Sequence, residues 1–417
     1  MIFSLRGPLR RLAFAGLSLL LVALYLNLAA RHYRASRLSQ VFELDSLRQA
    51  SHLAPSNAHY HDRLGRYFFL VQQDVDAGLE RYRAAVALDP YEARYWLDLA
   101  AAYQVSGNRQ EERKALERAL EADPRTPDIA WEVANFYLAE GDVPAAFHQF
   151  RPVLEHAPWD VNRTLELCWR ATHDVDSVLN QAVPPRPNLY FHFLHVLAGH
   201  QETAAAAKVW ARLMGLPESF PAKDAFSYLQ YLLDQKEVAA AHAAWQQLTA
   251  RNSLQGYLSP GNSVVNGGFE QPVLEGGFDW RRVAVPGVSV ALDAGEAHSG
   301  SRCLRIAFDD TAAADGGLIQ FVPVEPGAEY YLGAYVKADN LLAPSGPRLA
   351  VYDAYSRALY GMSEEIQGST PWRELSTKFT VKPDTRLLAV RIVRAPASGA
   401  IRGTLWLDDV QLTRVKP

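Results

Sequence analysis

The 417-residue chain has two cysteines, Cys168 and Cys303, with no C-x-x-C spacing around either. A disulfide framework and a cysteine-based zinc site are thereby excluded, and each thiol is read as a small buried apolar group. Positive charge is not concentrated anywhere: 42 basic side chains stand against 46 acidic ones, with no long basic run. Nucleic acid is therefore not an expected partner, because its phosphates must be neutralised by clustered Lys and Arg. The local signatures of catalysis are missing too. There is no G-x-x-x-x-G-K-[ST], no H-E-x-x-H, no G-x-S-x-G and no Rossmann glycine pattern behind a strand. Glu364 and Glu365 are neighbours and cannot straddle a glycosidic bond as a hydrolase pair must. His192, His195 and His200 recur at helical spacing, but no carboxylate or cysteine completes a metal set, so they read as packed or surface histidines. The chain is read as no enzyme. With 49% hydrophobic and 21% charged residues it is foldable material of multidomain length.

One long apolar run is present. Residues 12–30 carry no charge, and at a rise of about 1.5 Å per residue they reach roughly 28 Å, close to the hydrocarbon thickness of a bilayer. Arg31 follows directly, without a small-x-small cleavage pattern, so the segment reads as a single uncleaved transmembrane helix after a cytoplasmic start at 1–11. Arg6, Arg10 and Arg11 precede it while Arg31, Arg34 and Arg37 follow it, and this tie gives the positive-inside rule no purchase on orientation.

Beyond it a period emerges. Pro55, Pro90, Pro124 and Pro158 are 35, 34 and 34 residues apart, each at the end of an amphipathic segment such as AVALDP or ALEADP. Aligned on the prolines, Trp96, Leu99, Ala100, Tyr103 and Gly107 fall over Ala130, Val133, Ala134, Tyr137 and Gly141, with Leu64, Gly65 and Phe68 as an earlier counterpart. This pattern resembles the tetratricopeptide repeat family. Gly107 and Gly141 stand where a helix ends in a left-handed residue, and Ala119 and Ala146 are the small contacts on second helices. Weaker helical segments continue to Arg251, so residues 38–251 are expected to form an α-solenoid of about five to six helix pairs. The resemblance implies a groove for a protein partner.

Near residue 252 the texture changes to Gly/Pro-punctuated alternation, with 252–261 as a linker and 262–417 as a domain of about eight to nine antiparallel strands. NGGFE at 266–270, Trp280, HSGSRCLRI at 298–306, PGAEYYLGAYVKA at 326–338, Trp372 with Phe379, and GTLWLDDVQL at 403–412 occur in order. That succession resembles carbohydrate-binding modules of the family 4/9 type, a galactose-binding-like jelly roll. The resemblance implies non-catalytic recognition of glycans by aromatic rings, and a structural calcium ion held by Glu270, Asp408 and Asp409 with carbonyls from the 299–301 loop. The alternative for these carboxylates is a strand end and a solvated surface charge. Tyr335, Tyr352 and Tyr355 are the candidate sugar-stacking rings and Gln320 the candidate amide; the alternative is that they pack the sandwich. Trp280, Trp372 and Trp406 are assigned to the core.

The reading is a multidomain chain: one transmembrane helix, an all-α solenoid, then an all-β sandwich. Function follows as a membrane-anchored scaffold in envelope polysaccharide biosynthesis or export, with its bulk on the periplasmic side of a bacterial-type inner membrane and polysaccharide as the second partner. The rival is a pure assembly factor for a secretion or pilus machine, with a structural β-domain that binds no sugar.

Overall fold

The computed structural model describes residues 8–157 and 160–415. Arg6 and Pro158 lie outside the described residues, as do residues 1–7 of the expected cytoplasmic start. By contact the chain divides into two compact units, Met1–Pro185 and Arg186–Pro417.

The first unit contains helices α1 (Pro8–Ser39), α2 (Leu44–Leu53), α3 (Ala58–Arg66), α4 (Val75–Leu88), α5 (Ala93–Val105), α6 (Arg109–Ala122), α7 (Pro127–Glu140), α8 (Val143–His156), α9 (Val161–Thr172) and the single turn α10 (Val175–Ser177). Helix α1 is long and apolar enough to cross a membrane, and its apolar stretch is exposed along nearly its whole length. It does not stop at Ala30. Its last turns pack on α2, where Ala35 and Ala50 are fully buried and Leu38 and Leu53 close around them. The following hairpins are tetratricopeptide-like, and each turns by the same local device. A left-handed residue ends the first helix and the next side chain caps the second: Gln73 with Asp74, Gly107 with Asn108, Gly141 with Asp142, and His173 with Asp174. The capping oxygens accept from the N–H groups of Ala77, Glu111 and Ala145 at 3.0, 3.3 and 3.3 Å, which satisfies donors a helix start leaves open. Two of the four left-handed positions are glycine, and the cap chemistry carries the other two. The expected small contacts Ala100, Ala119, Ala134 and Ala146 are all fully buried.

The second unit begins with two more hairpins, α11 (Pro187–Gly199) with α12 (Thr203–Met214) and α13 (Phe226–Asp234) with α14 (Val238–Arg251). The division between units thus does not fall at the composition change near residue 252. The stretch expected as a linker is itself folded: a 3₁₀ turn at Leu254–Tyr257 is pinned by the Tyr257 hydroxyl, which donates to Pro272 O at 2.9 Å.

Ten strands follow: β1 (Arg281–Arg282), β2 (Val288–Asp293), β3 (Cys303–Thr311), β4 (Asp315–Pro323), β5 (Glu329–Leu342), β6 (Pro347–Asp353), β7 (Leu359–Met362), β8 (Gly368–Thr380), β9 (Leu387–Arg394) and β10 (Ile401–Arg414). They form two antiparallel five-stranded sheets, β1-β4-β9-β6-β7 and β2-β3-β10-β5-β8, packed as a β-sandwich. Alternate residues of the long strands point between the sheets. Leu332, Ala334 and Val336 of β5 face Leu388, Val390 and Ile392 of β9 across one core that also holds Phe269 and Trp280. Burying each large apolar side chain there contributes about 1.5–3 kcal/mol; both cysteines, Cys168 in α9 and Cys303 in β3, are buried and free.

The NGGFE segment is part of that construction. A Cβ on Gly267 would lie 2.1 Å from Val410 O, so only glycine lets the chain run this close to β10, where Val410 N donates back to Gly267 O at 2.9 Å. Asn266 clamps Gln271 through both its amide atoms and accepts the Trp280 indole N–H on its carbonyl at 3.2 Å.

Candidate functional site

Register decides which side chains of the first sheet face outward. Phe321 pairs with Ala389, and Ala389 with Tyr352, so a small residue lies between two rings on one row of the outer face. The next row carries Arg281, Ile319 and Arg391. With strands about 4.8 Å apart the two aromatic positions stand roughly 9–10 Å from each other. Phe321, Ala389, Tyr352, Ile319 and Arg391 floor a cleft of about 400 Å³ that Asp315, Asp353 and Arg357 also line. Across its floor the Arg391 guanidinium pairs with Asp315 at 2.7 Å. Asp353 is buried, which alone would raise its pKa, but donors from Thr385, Ser356 and Tyr355 hold it below the usual carboxylate range. Two flanking rings over a shallow floor, with a guanidinium–carboxylate pair at one side, offer stacking faces for C–H surfaces and hydrogen bonds for hydroxyls.

Of the expected sugar contacts, Tyr352 alone lines this cleft. Gln320, one residue from Phe321, points the other way and is fully buried; its amide accepts from Val265 N at 3.0 Å and donates to Val265 O at 2.8 Å. As a ligand contact Gln320 is corrected: both its amide atoms are held inside the sandwich. Tyr355 lies in the β6–β7 turn, where its hydroxyl donates to Leu233 O of α13 at 2.7 Å and the Lys236 ammonium sits 5.6 Å over its ring. Tyr335 is on the outer face of the other sheet, stacked under His298 at 3.6 Å between centroids. Trp280 is in the core as expected. Trp372 and Trp406 are not: they lie half-buried on that same outer face, Trp372 edge-on to His298 and Trp406 donating its indole N–H to Asp293 at 2.9 Å. Phe321, Arg391 and Asp315 were missed because only the pairing of β4 with β9 brings them beside Tyr352.

The expected metal ligands come to one loop but meet it with donors in place. A bulge in β10, with Asp409 left-handed at φ 46, brings both aspartates to the 298–302 loop. Asp408 Oδ2 accepts from His298 N at 2.8 Å and Ser299 N at 3.1 Å, and its Oδ1 from Asp409 N at 2.8 Å. Asp409 takes the Ser299 hydroxyl at 2.7 Å and meets His298 Nδ1 at 2.6 Å. Glu270 takes Ser301 N at 2.8 Å, the Ser301 hydroxyl at 2.7 Å and Arg302 N at 3.2 Å, and the Ser301 bonds hold its pKa below the carboxylate range. Every carboxylate oxygen of the three therefore faces an N–H, an O–H or an imidazole nitrogen. Among the described residues no three carboxylate, imidazole or thiol groups gather closely enough to hold a metal. In this arrangement Glu270, Asp408 and Asp409 are each held by donors of the 298–302 loop, and they form a latch between the chain's first and last passes through the sandwich.

A second feature escaped sequence reasoning. The segment Gly276-Gly277-Phe278 inserts between α13 and α14, where Phe278 is fully buried and meets Trp245 and His242 edge-on at 6.1 and 5.9 Å. Arg281 extends the contact: it donates to Gln230 Oε1 of α13 at 2.5 Å while its guanidinium lies 5.0 Å over the Phe321 ring. A helix residue thus holds the guanidinium that lies over one of the cleft's rings. In the first unit, a hollow of about 430 Å³ between α3 and α5 is lined by His59, Asp62, Arg63, Arg66, Arg94 and Tyr95, among others. There Arg66 bridges Asp62 at 3.1 Å and Asp98 at 2.5 Å. Burial, then repulsion from Asp98, pushes the Asp62 carboxyl well above the usual range.

Comparison with known proteins bears on these features. The family described as "Carbohydrate binding domain" matches residues 261–399. Among solved structures, a family 4 carbohydrate-binding module is 15% identical over 37% of this chain and 100% of its own, with a TM-score of 0.30. The xylan-binding domain CBM22-1 of Paenibacillus barcinonensis Xyn10C is 18% identical over 36% of this chain and 93% of its own, with a TM-score of 0.26. On the helical side, pilF of Pseudomonas aeruginosa is 13% identical over 48% of this chain and 96% of its own, with a TM-score of 0.26. No curated protein matches the chain.

Proposed function

We propose that this protein is a non-catalytic, membrane-anchored scaffold whose helix pairs hold a protein partner and whose terminal sandwich holds a glycan, in the biosynthesis or export of an envelope polysaccharide. The observation that carries the glycan half is the cleft floored by Phe321, Ala389 and Tyr352, inside the stretch that matches the carbohydrate-binding family. Its size suits a short saccharide segment, and its two rings and one ion pair match the chemistry of sugar recognition. The anchor half is supported by the uninterrupted course of α1, whose last turns are built into the α1–α2 pair. Polysaccharide is met outside the cytoplasm, and that supports a periplasmic position for the bulk of the chain.

Isothermal titration of the whole chain against a panel of envelope glycans tests the reading. We expect binding by the wild-type protein and a loss of about tenfold for Tyr352→Ala, since a stacking ring is worth on the order of 1 kcal/mol beyond its area. A panel without a single binder would leave the rival: an assembly factor whose sandwich only caps the helices. That rival is favoured by one observation, the extensive docking of the 276–278 segment and Tyr355 onto α13 and α14.

A further inference from the structure

We propose that the cleft between α1 and α2 is a receptor for the phosphate headgroup of an anionic phospholipid. This rests on the reading of α1 as a membrane anchor and adds a specific ligand to it. The cleft, of about 690 Å³, is lined chiefly by Tyr33, Arg34, Arg37, Leu38, His52 and Leu53, with no acidic residue in its lining. Its position along the helix follows from covalent geometry. At about 1.5 Å per residue, Arg34 lies roughly 6 Å and Arg37 roughly 10 Å beyond Ala30, the last residue of the apolar run. The polar layer of each leaflet is about 5–8 Å thick, so Arg34 stands within it and Arg37 just beyond it, with its side chain tilted back towards the bilayer as helical side chains are. Helix α2 is held at the same level, because Arg31 Nη2 donates to Leu53 O at 3.0 Å and brings the end of α2 beside the first residue past the apolar run.

The chemistry of the lining fits one kind of occupant. Arg34 and Arg37 are exposed, and among the described residues neither has a carboxylate partner. A guanidinium fork matches two phosphate oxygens. Leu38 and Leu53 line the cleft beside these cations and pack against the hairpin core, which fixes its floor. Tyr33, exposed at the level of the headgroups, has the apolar body and polar tip that membrane boundaries favour. The assignment also accounts for the even distribution of arginines around the apolar run: Arg34 and Arg37 answer to lipid phosphate, not to orientation.

The test uses the full chain. Alkaline carbonate extraction of membranes comes first: release into the supernatant would refute the anchor and the lipid site with it, and retention in the pellet isolates the second question. The protein is then placed in nanodiscs of phosphatidylcholine alone or mixed with phosphatidylglycerol, and the lipid kept after detergent exchange is counted by native mass spectrometry. Wild type should retain phosphatidylglycerol in preference to phosphatidylcholine. The double variant Arg34→Gln, Arg37→Gln should bind it about 30-fold more weakly, roughly fivefold per arginine, and Arg34→Lys, Arg37→Lys should recover most of the loss. Both positions are exposed, so unchanged helical circular dichroism is expected for each variant. Equal retention of the two lipids by wild type, or a Gln variant that binds like wild type, would overturn the proposal. So would tight binding of inorganic phosphate by the detergent-solubilised protein, which would make the ligand a free anion.

Discussion

Replacing Gly277 by alanine probes how firmly the sandwich is seated on α13 and α14. Gly277 is left-handed at φ +60, and a Cβ there would lie 2.3 Å from Trp245 Cζ3, inside any tolerable contact. Three terms set the outcome. The left-handed backbone costs a non-glycine residue about 1–2 kcal/mol. Trp245 is 2% exposed, and displacing such a ring costs about 1–3 kcal/mol as overpacking does elsewhere. Against these, the reduced freedom of the unfolded chain returns about 0.4–1 kcal/mol. The net loss is about 1–5 kcal/mol, which in a unit of this size corresponds to a fall of roughly 6–12 °C near the middle of that range. Gly107→Ala supplies the control, because Gly107 shares the left-handed backbone at φ +75 but has open space where its Cβ would go. Only the backbone term remains there, about 1 kcal/mol after the unfolded-state gain. Scanning calorimetry of the two variants beside wild type separates strain from clash. A Gly277→Ala chain that melts within about 1 °C of wild type, or no lower than Gly107→Ala, would refute the seating of this segment against Trp245.

The same segment carries a pH-dependent group. Burial pushes Asp279 up to about 7 despite N–H bonds from Leu274 and Trp280. Its folded pKa is therefore above its unfolded value, so its contribution is fully present below about pH 4 and lost as pH rises through about 7, a difference on the order of 4 kcal/mol. Asp279→Asn should flatten that part of the stability curve; parallel curves for the two chains would contradict it. Asp408→Ala removes the acceptor of three backbone N–H groups and should destabilise the second unit by about 2–4 kcal/mol in urea titration. Because the latch oxygens are already engaged, added calcium or EDTA should leave the melting temperature of wild type in place, and a calcium-dependent rise of several degrees would overturn that account. Gln230→Leu takes away the partner of Arg281 and should weaken glycan binding severalfold by loosening Arg281 over Phe321, with titration calorimetry as the readout.

Much of the architecture is local in origin and was legible from residue order. The 34-residue spacing of prolines, the small residues between paired helices and the alternation within each strand are dictated by 3.6- and 2-residue periods, which a chain displays before it folds. The helices after Pro185 were legible for the same reason, even where the repeat had decayed. Single positions were another matter. Gln320 and Phe321 are adjacent, and the step of one residue along β4 sends the amide into the core and the ring into the cleft. Tyr352 and Tyr355 are three apart, and the turn after β6 gives one to the cleft and the other to α13. The composition change near residue 252 marked a change of secondary structure, but the rings of Phe226, Trp245 and Phe278 join both sides of it into one unit.

By itself, then, the sequence determined the elements and their kinds: a long apolar helix, paired helices on a fixed period, and a two-sheet domain that resembles carbohydrate-binding modules. The tertiary structure decided which side chains share a surface, because strand register, the β10 bulge and the packing of Gly276-Gly277-Phe278 bring together residues tens to more than a hundred positions apart. Those pairings depend on distances that no local period encodes.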